Sequence, residues 1–276
     1  MSLQNKIDFA LVFTAKNANP NGDPLSGNRP RTTSDGLGEV SDVCLKRKLR
    51  NRLQDAGEAI FVQSDERRSD GEKSLSDRFN NFLKQMSKDV QNNKEAVSDQ
   101  VCEKWIDVRA FGQVFAFKKN KDTVEVSIGV RGPVTIQSAF STEPVNIESI
   151  QITKSVNSET TADGGKSSDT MGMKHRVSHA VYVTYGSISP QLAEKTGFSD
   201  EDAEKIKQAL ITLFEGDESS ARPSGSMQIQ KLVWFKHNNK YGQYSSAKVH
   251  GSLTIDNGGS ITVTPFDGLI PEIYEG

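Results

Sequence analysis

The stretch Asn17–Arg31, NANPNGDPLSGNRPR, decides how the chain is read; it holds three prolines, two glycines, four asparagines and two arginines. Pro20, Pro24 and Pro30 fix φ and remove N–H donors, so neither a helix nor a strand ladder runs through it. Gly22 and Gly27 permit positive φ, and asparagine tolerates it. Such a loop presents the Asn17, Asn19 and Asn21 amides, backbone N–H groups around Gly22, and the Arg29 and Arg31 guanidiniums to something polar and anionic. An ordinary solvated connection has much the same composition. The neighbours favour the binding reading: a strand stands before the loop and a cationic helix after it.

On the N-terminal side Ile7, Phe9, Leu11 and Phe13 alternate, with Ala10 and Val12 between them, which reads as a strand buried on both faces. On the C-terminal side Ser41 is a good N-cap, and Asp42 suits the first turn of a helix. Leu45, Leu49 and Leu53 form its packing stripe. Lys46, Arg47 and Arg50 project beside or opposite that stripe, with Lys48 and Arg52 at its other edge. The free N–H groups and positive dipole end of this helix suit a phosphate, and its cations extend the field along one face. Asp55 and Gly57 end it.

Farther on, Ala59 to Gln63 reads as a short strand, and residues 64–106 as a helical insertion. Within it Ser74 caps a helix carrying Leu75, Phe79, Phe82, Leu83 and Met86, Lys88 to Glu95 is polar, and a short helix runs near Ser98 to Trp105. Asp107 to Phe117 breaks at Gly112. Its Phe111, Phe115 and Phe117 are placed on a strand, where aromatic residues stack bases in some RNA binders and more often fill a core. Val124 to Val130 is a strand, and Pro133 marks an edge or bulge. From Ser141 to His179 apolar residues thin out, and the aperiodic middle of this stretch is placed at the tip of a protruding hairpin with arms Val145 to Lys154 and Arg176 to Tyr185. Met171 and Met173 lie near its tip beside Lys174, His175 and Arg176, as wedges between bases, as contacts to another subunit, or as part of a disordered segment. Ser199 caps a helix with Ala203, Ile206, Leu210, Leu213 and Phe214 on its core face. Arg222-Pro223-Ser224-Gly225 is a second small basic turn. Strands Ile229 to Lys236, Lys248 to Ile255 and Ile261 to Thr264 close the chain. Without its insertions this order approximates βαββαβ: an α+β fold of the ferredoxin-like or RRM-like kind, an antiparallel sheet with helices on one face.

The totals exclude several classes. With 276 residues the chain has one full core or two small ones. Lys+Arg 34 against Asp+Glu 36 gives a net charge of −2, so any nucleic-acid contact is local. Cys44 and Cys102 have no metal-ligand spacing and suggest a reducing compartment. No signal-peptide run or bilayer-length apolar stretch occurs, so the expectation is a soluble cytoplasmic protein without membrane contact. His175 and His179 share a strand face without a carboxylate or thiol beside them, which does not make a metal site. No nucleophile elbow, Walker loop or dinucleotide fingerprint is present, and no cofactor is expected.

Ile7 to Pro24, IDFALVFTAKNANPNGDP, closely resembles the opening of the CRISPR-associated backbone subunits of type I Cascade, especially the Csd-type subunits of subtype I-C and their I-B relatives. DVRAFG at Asp107–Gly112, RGPV at Arg131–Val134, and HAVYVTYG at His179–Gly186 after a long polar excursion extend the resemblance, in order, over most of the chain. The resemblance implies a single RRM-like palm over residues 1–276, a helical finger insertion at 64–106 and a β-hairpin thumb at 138–180. It implies a non-catalytic subunit that lines up head to tail with copies of itself along a CRISPR guide RNA. Target DNA would be met through the guide, with the large subunit and the repeat-processing subunit as further partners. Asn17, Asn19, Asn21, Gly22, Arg29, Arg31, Lys46, Arg47 and Arg50 would grip RNA, with Arg109 and Phe111 of the second motif and Arg222 and Ser224. Met171, Met173, Lys174, His175 and Arg176 would act from the thumb. Two other classes remain open: a metal-dependent ribonuclease of the type III backbone kind using Asp23 or Asp35, and a self-assembling structural protein without RNA.

Overall fold

A computed structural model describes residues 1–117, 127–153 and 171–276. The expected strand positions Val124 and Val126, and the tip of the expected hairpin, lie outside the described residues. The strands are β1 (Ile7–Ala18), β2 (Gly22–Asp23), β3 (Arg29–Pro30), β4 (Leu37–Val40), β5 (Gln113–Ala116), β6 (Ser127–Val130), β7 (Val134–Ile136), β8 (Ala139–Pro144), β9 (Ile147–Thr153), β10 (Met171–Ile188), β11 (Met227–Lys236), β12 (Leu253–Ile255), β13 (Ile261–Val263) and β14 (Glu272–Glu275). The helices are α1 (Asp42–Asp55), α2 (Leu75–Lys84), α3 (Lys88–Gln91), α4 (Lys94–Lys104), α5 (Ile106–Phe111), α6 (Pro190–Thr196), α7 (Asp200–Ile211) and α8 (Ser246–His250).

The main sheet runs β14-β11-β1-β10-β8-β4, with β7 and β9 also pairing with β10. Its pairs are antiparallel, and β1 lies between β10 (Ile7↔Ile188 to Ala18↔Val177) and β11 (Ile7↔Lys236 to Ala15↔Met227). With α1 after β1 and α7 after β10, the order β11-β1-β10-β7/β8 is the split βαβ arrangement expected from the sequence. Ile7, Phe9, Leu11, Phe13 and Ala15 of β1 point to one side and meet the α1 leucine stripe and Ala203, Ile206 and Leu210 of α7. There Phe9 stacks on Trp234 at 5.5 Å between centroids, and Phe13 on Tyr182 at 5.3 Å.

The opposite side of the sheet is covered as well. Ala10, Val233 and Phe235 pack against Val249 of α8, Leu253 of β12 and Leu269. Asp8, fully buried on this side, accepts Lys6 Nζ and His237 Nε2, each at 2.9 Å. His237 Nδ1 accepts the Gln243 N–H at 2.9 Å, which leaves the ring proton on Nε2 facing the carboxylate. Burial pushes the Asp8 carboxyl up, but hydrogen bonds from His237, Ser246 and Lys6 outweigh it and hold the group below the ordinary carboxylate range. This charged cluster ties the C-terminal cap to β1.

A second core joins Phe61, Phe79, Leu83, Val101, Trp105, Phe115 and Ile128 from α2, α4, β5, β6 and the entry to the insertion. Several local expectations differ from what forms. Ala59–Gln63 is not a strand: the Phe61 and Val62 N–H groups donate to the Asp107 carboxylate at 2.7 and 3.1 Å instead of to a neighbouring ladder. Lys88–Glu95 contains α3 and opens α4, capped by Ser87 and Asn93. Phe111 ends α5 rather than lying on a strand; Gly112, at φ 80°, turns the chain out of the helix, and β5 begins after it. The expected strand Lys248–Ile255 starts as a helix, because Ser245 caps α8 by accepting the Lys248 N–H and Gly251 closes it. The acidic tail adds β14 to the edge of the sheet.

Candidate nucleic-acid interface

An RRM sheet reads RNA bases with aromatic residues on its open face. Here helices cover one face of the sheet and α8, β12 and β13 cover much of the other, so a polymer has the rim. The rim at the end of β1 is built by five segments that hydrogen-bond to one another. Asn17 adopts φ 52°, so the chain leaves β1 through a left-handed residue. Buried Asn19 donates from its backbone N–H to Ala221 O at 2.8 Å and from its side chain to Asn28 O at 2.7 Å. The Asn21 amide oxygen accepts the Ser41 N–H at 2.9 Å and its hydroxyl at 3.0 Å. β2 pairs with β3, and a Cβ on Gly22 would collide with the Asn28 side chain. The loop is therefore fixed from within, with Asn19, Asn21 and Gly22 as its frame.

Asp23 accepts the Leu25 N–H at 3.2 Å and the Ser26 hydroxyl at 2.9 Å, and Arg31 lies 3.5 Å away. Those two hydrogen bonds, then the Arg31 charge, hold its carboxyl below the ordinary range. Asp23 is engaged in its own turn. Asp35 is exposed, and among the described residues no group of three or more His, Cys, Asp or Glu side chains converges. No geometry here supports the metal-dependent ribonuclease.

The cations of α1 have partners within the chain. Lys46 pairs with Asp42 at 3.0 Å, Arg47 donates to Val62 O at 2.7 Å, and Arg50 pairs with buried Asp107 at 2.9 Å while lying 5.2 Å over the Phe111 ring. Lys48 is buried against Asp217, and Arg52 pairs with Asp55 and Glu215. Burial lowers the Lys48 pKa, with Asp217 working against it. Arg47, Lys48, Arg50 and Arg52 join α1 to the finger and to the turn after α7, whereas Lys46 pairs within α1 itself. The α1 N-terminus is also closed as an anion site: Asp42 N–H donates to Ser138 Oγ and Cys44 N–H to Ser41 Oγ, each at 3.3 Å, and the Asp42 charge sits beside them.

The other selected residues divide likewise. Arg109 makes a forked pair with Asp202 at 2.7 and 2.9 Å and donates to Cys102 O, which ties the finger to α7. Arg222 pairs with Asp217 at 2.7 Å, Arg176 with Glu148 at 2.8 Å, and Ser224 is exposed. Met171 and Met173 stand exposed on the hairpin, opposite Thr153 and Gln151. Lys174 is half-buried beside them. Arg29 reaches the hairpin, donating to Ser149 Oγ at 2.8 Å, next to His175 Nδ1 at 3.5 Å.

Lys16 was missed. It is exposed, lies directly opposite exposed His179 in the β1–β10 register, and has no acidic partner among the described residues. It falls between the alternation that ends at Phe13 and the loop that begins at Asn17, where neither pattern draws it in.

The chain matches the family described as CRISPR-associated protein Cas7 over residues 5–266. It is 29% identical, over 298 residues, to the CRISPR-associated protein Cas7 of Haloferax volcanii, covering 100% of this chain and 82% of that protein. Among solved structures, a chain of a CRISPR RNA-guided surveillance complex, pre-nicking, is alike in fold: TM-score 0.50 at 16% identity, covering 87% of this chain and 81% of that one. The family match spans the first strand, the framed loop, both insertions and most of the C-terminal cap, and the chain belongs to the Cas7 family of CRISPR-associated proteins.

Proposed function

We propose that this chain is the guide-RNA-binding backbone subunit of a type I Cascade complex, copies of which align head to tail along one RNA. In this reading its subtype is I-C, by the likeness of Ile7–Pro24 with DVRAFG and RGPV in support, its other partners are the large and repeat-processing subunits, and its place is the cytoplasm. The observation that carries this reading is the rim itself: a preorganised polar loop beside a projecting hairpin, on a sheet shielded on both faces. A rim of this kind meets sugar and phosphate rather than base edges, so it tolerates any guide sequence, and base pairing reads the target. The engagement of Asp23 within its own turn supports a role without catalysis.

Lys16, Arg31, Lys46 and Lys174 are the phosphate contacts of this reading. The test is nuclease protection of guide RNA assembled with the purified chain, together with binding across a salt series. Protection should repeat at a fixed interval. Lys16→Ala and Lys174→Ala should each reduce the salt slope by roughly 0.7 on a single strand, alike for unrelated spacers. A chain that ignores RNA at low ionic strength and stays monomeric with guide present overturns the proposal.

A further inference from the structure

From Arg176 to Met171 the long strand β10 has β9 as its sole sheet partner among the described residues, because pairing with β1 stops at Ala18↔Val177. A two-stranded ribbon is marginally stable by itself and twists more than a wide sheet. Its direction therefore depends on what braces its root. The Val145 N–H donates to Gly36 O at 3.0 Å and ties the foot of the first arm to the palm, and within the hairpin the Ser178 N–H donates to Asn146 O at 3.1 Å and Arg176 pairs with Glu148. Arg29 adds a side-chain brace from outside, farther along the ribbon: its guanidinium donates to Ser149 Oγ at 2.8 Å, and Ser149 Oγ lies 2.9 Å from His175 Nδ1. Ser149 and His175 are directly opposed across the two strands, so one guanidinium addresses both.

The other end of this brace is rigid. Arg29 belongs to β3, paired with Asp23, and the preceding Asn28 is locked by Asn19 and packed on Gly22. A flexible loop would transmit nothing to the hairpin; this one is held to β1, to α1 through Asn21 and to the turn at Ala221.

We propose that Arg29 is a positioning residue, a strut that sets the angle of the hairpin on the palm and thereby the regularity with which successive subunits meet the RNA. The inference rests on the guide-RNA reading above. It departs from the sequence expectation, in which Arg29 grips a phosphate.

The two roles separate experimentally. Guide RNA is assembled with wild type, Arg29→Ala, Arg29→Lys and Ser149→Ala, and each complex is probed by nuclease protection and by a salt series, after thermal melts have shown that the variants fold. Ser149 carries no charge. A strut predicts that Ser149→Ala and Arg29→Ala both lower the contrast between protected and cut positions, by about threefold, as expected on losing one exposed charge-assisted hydrogen bond. Ser149→Ala should keep the wild-type salt slope. Arg29→Lys should fail to restore the contrast, since the contact is made by the terminal Nη1 and a lysine side chain ends short of that position. If Ser149→Ala is silent while Arg29→Ala only reduces the salt slope and Arg29→Lys rescues it, Arg29 is a phosphate contact and the inference is overturned. A regular wild-type pattern unaltered by either alanine also overturns it, whereas a wild-type complex with no repeating protection refutes the guide-RNA reading itself.

Discussion

Asp107 shows why a residue's role outruns its neighbourhood in sequence. Its buried carboxylate takes two backbone N–H groups from the entry to the finger and the Arg50 guanidinium from α1. Asp107→Ala would leave a half-buried cation and two amides without partners. We expect a loss of about 3 kcal/mol, seen as a lower urea midpoint at unchanged slope. Arg50→Ala should destabilise the fold in the same assay, so weakened RNA binding by that variant would not mark a phosphate contact. The Ser41 cap and the leucine stripe of α1 were legible in the sequence because their partners lie within a few residues. The fate of the α1 cations was not: Arg50 finds its acid 57 residues away and Lys48 finds its own 169 away. Helical spacing shows on which side of a helix a cation projects, and says nothing of which distant carboxylate arrives there.

Among the elements, α5 and α7 are joined by the Arg109–Asp202 fork, and Asp202 also closes the capping box of α7 with Ser199. Burial raises the Asp202 carboxyl, but Arg109 and the Ser199 N–H outweigh it, and the net shift is downward. A carboxyl with a folded pKa below its unfolded value of about 3.9 binds its proton first in the unfolded chain as pH falls. Its stabilising contribution is therefore present above the unfolded value and fades as pH drops through the lowered folded value. Asp202→Asn should cost stability at neutral pH, and the gap to wild type should narrow below about pH 4 in urea melts followed against pH. Elements were well read where period and cap agreed, as in β1, α1, α2 and α7. They were misread where a single residue redirected the chain. Gly112 turns α5 into β5 in a segment rich in aromatics, and Ser245 opens a helix in a segment rich in β-branched and apolar residues. Gly112 also explains why two separated motifs go together: a side chain on it, or on Gly132, would strike the backbone of the other motif.

At the scale of the whole molecule, the order of strands and helices followed from hydrophobic alternation, and the split βαβ palm with it. The covering of the second sheet face did not, since α8, β12 and β13 carry no local sign of where they fold. That covering leaves the rim as the open polar edge, where the frame of asparagines was legible as a loop and invisible as a frame. Gly22→Ala, which forces Asn28 aside, should loosen this frame without touching any core. We expect weaker RNA binding, with a thermal midpoint close to that of wild type, since the loop lies outside all three hydrophobic clusters.

Two of the three hydrophobic clusters each hold one tryptophan and border or contain one cysteine: Trp234 with Cys44 in the palm, Trp105 with Cys102 in the finger. Burial raises both thiols, Cys102 to about 12, which keeps them inert to alkylation at neutral pH until their own cluster opens. The molecule thus carries its own pair of optical and chemical reporters. Trp234→Phe leaves indole emission to the finger alone, and mass-resolved labelling of the two thiols times the release of each half. Coincident signals during denaturation would mark a single cooperative unit; an earlier finger signal would mark an insertion that loosens while the palm still holds its guide.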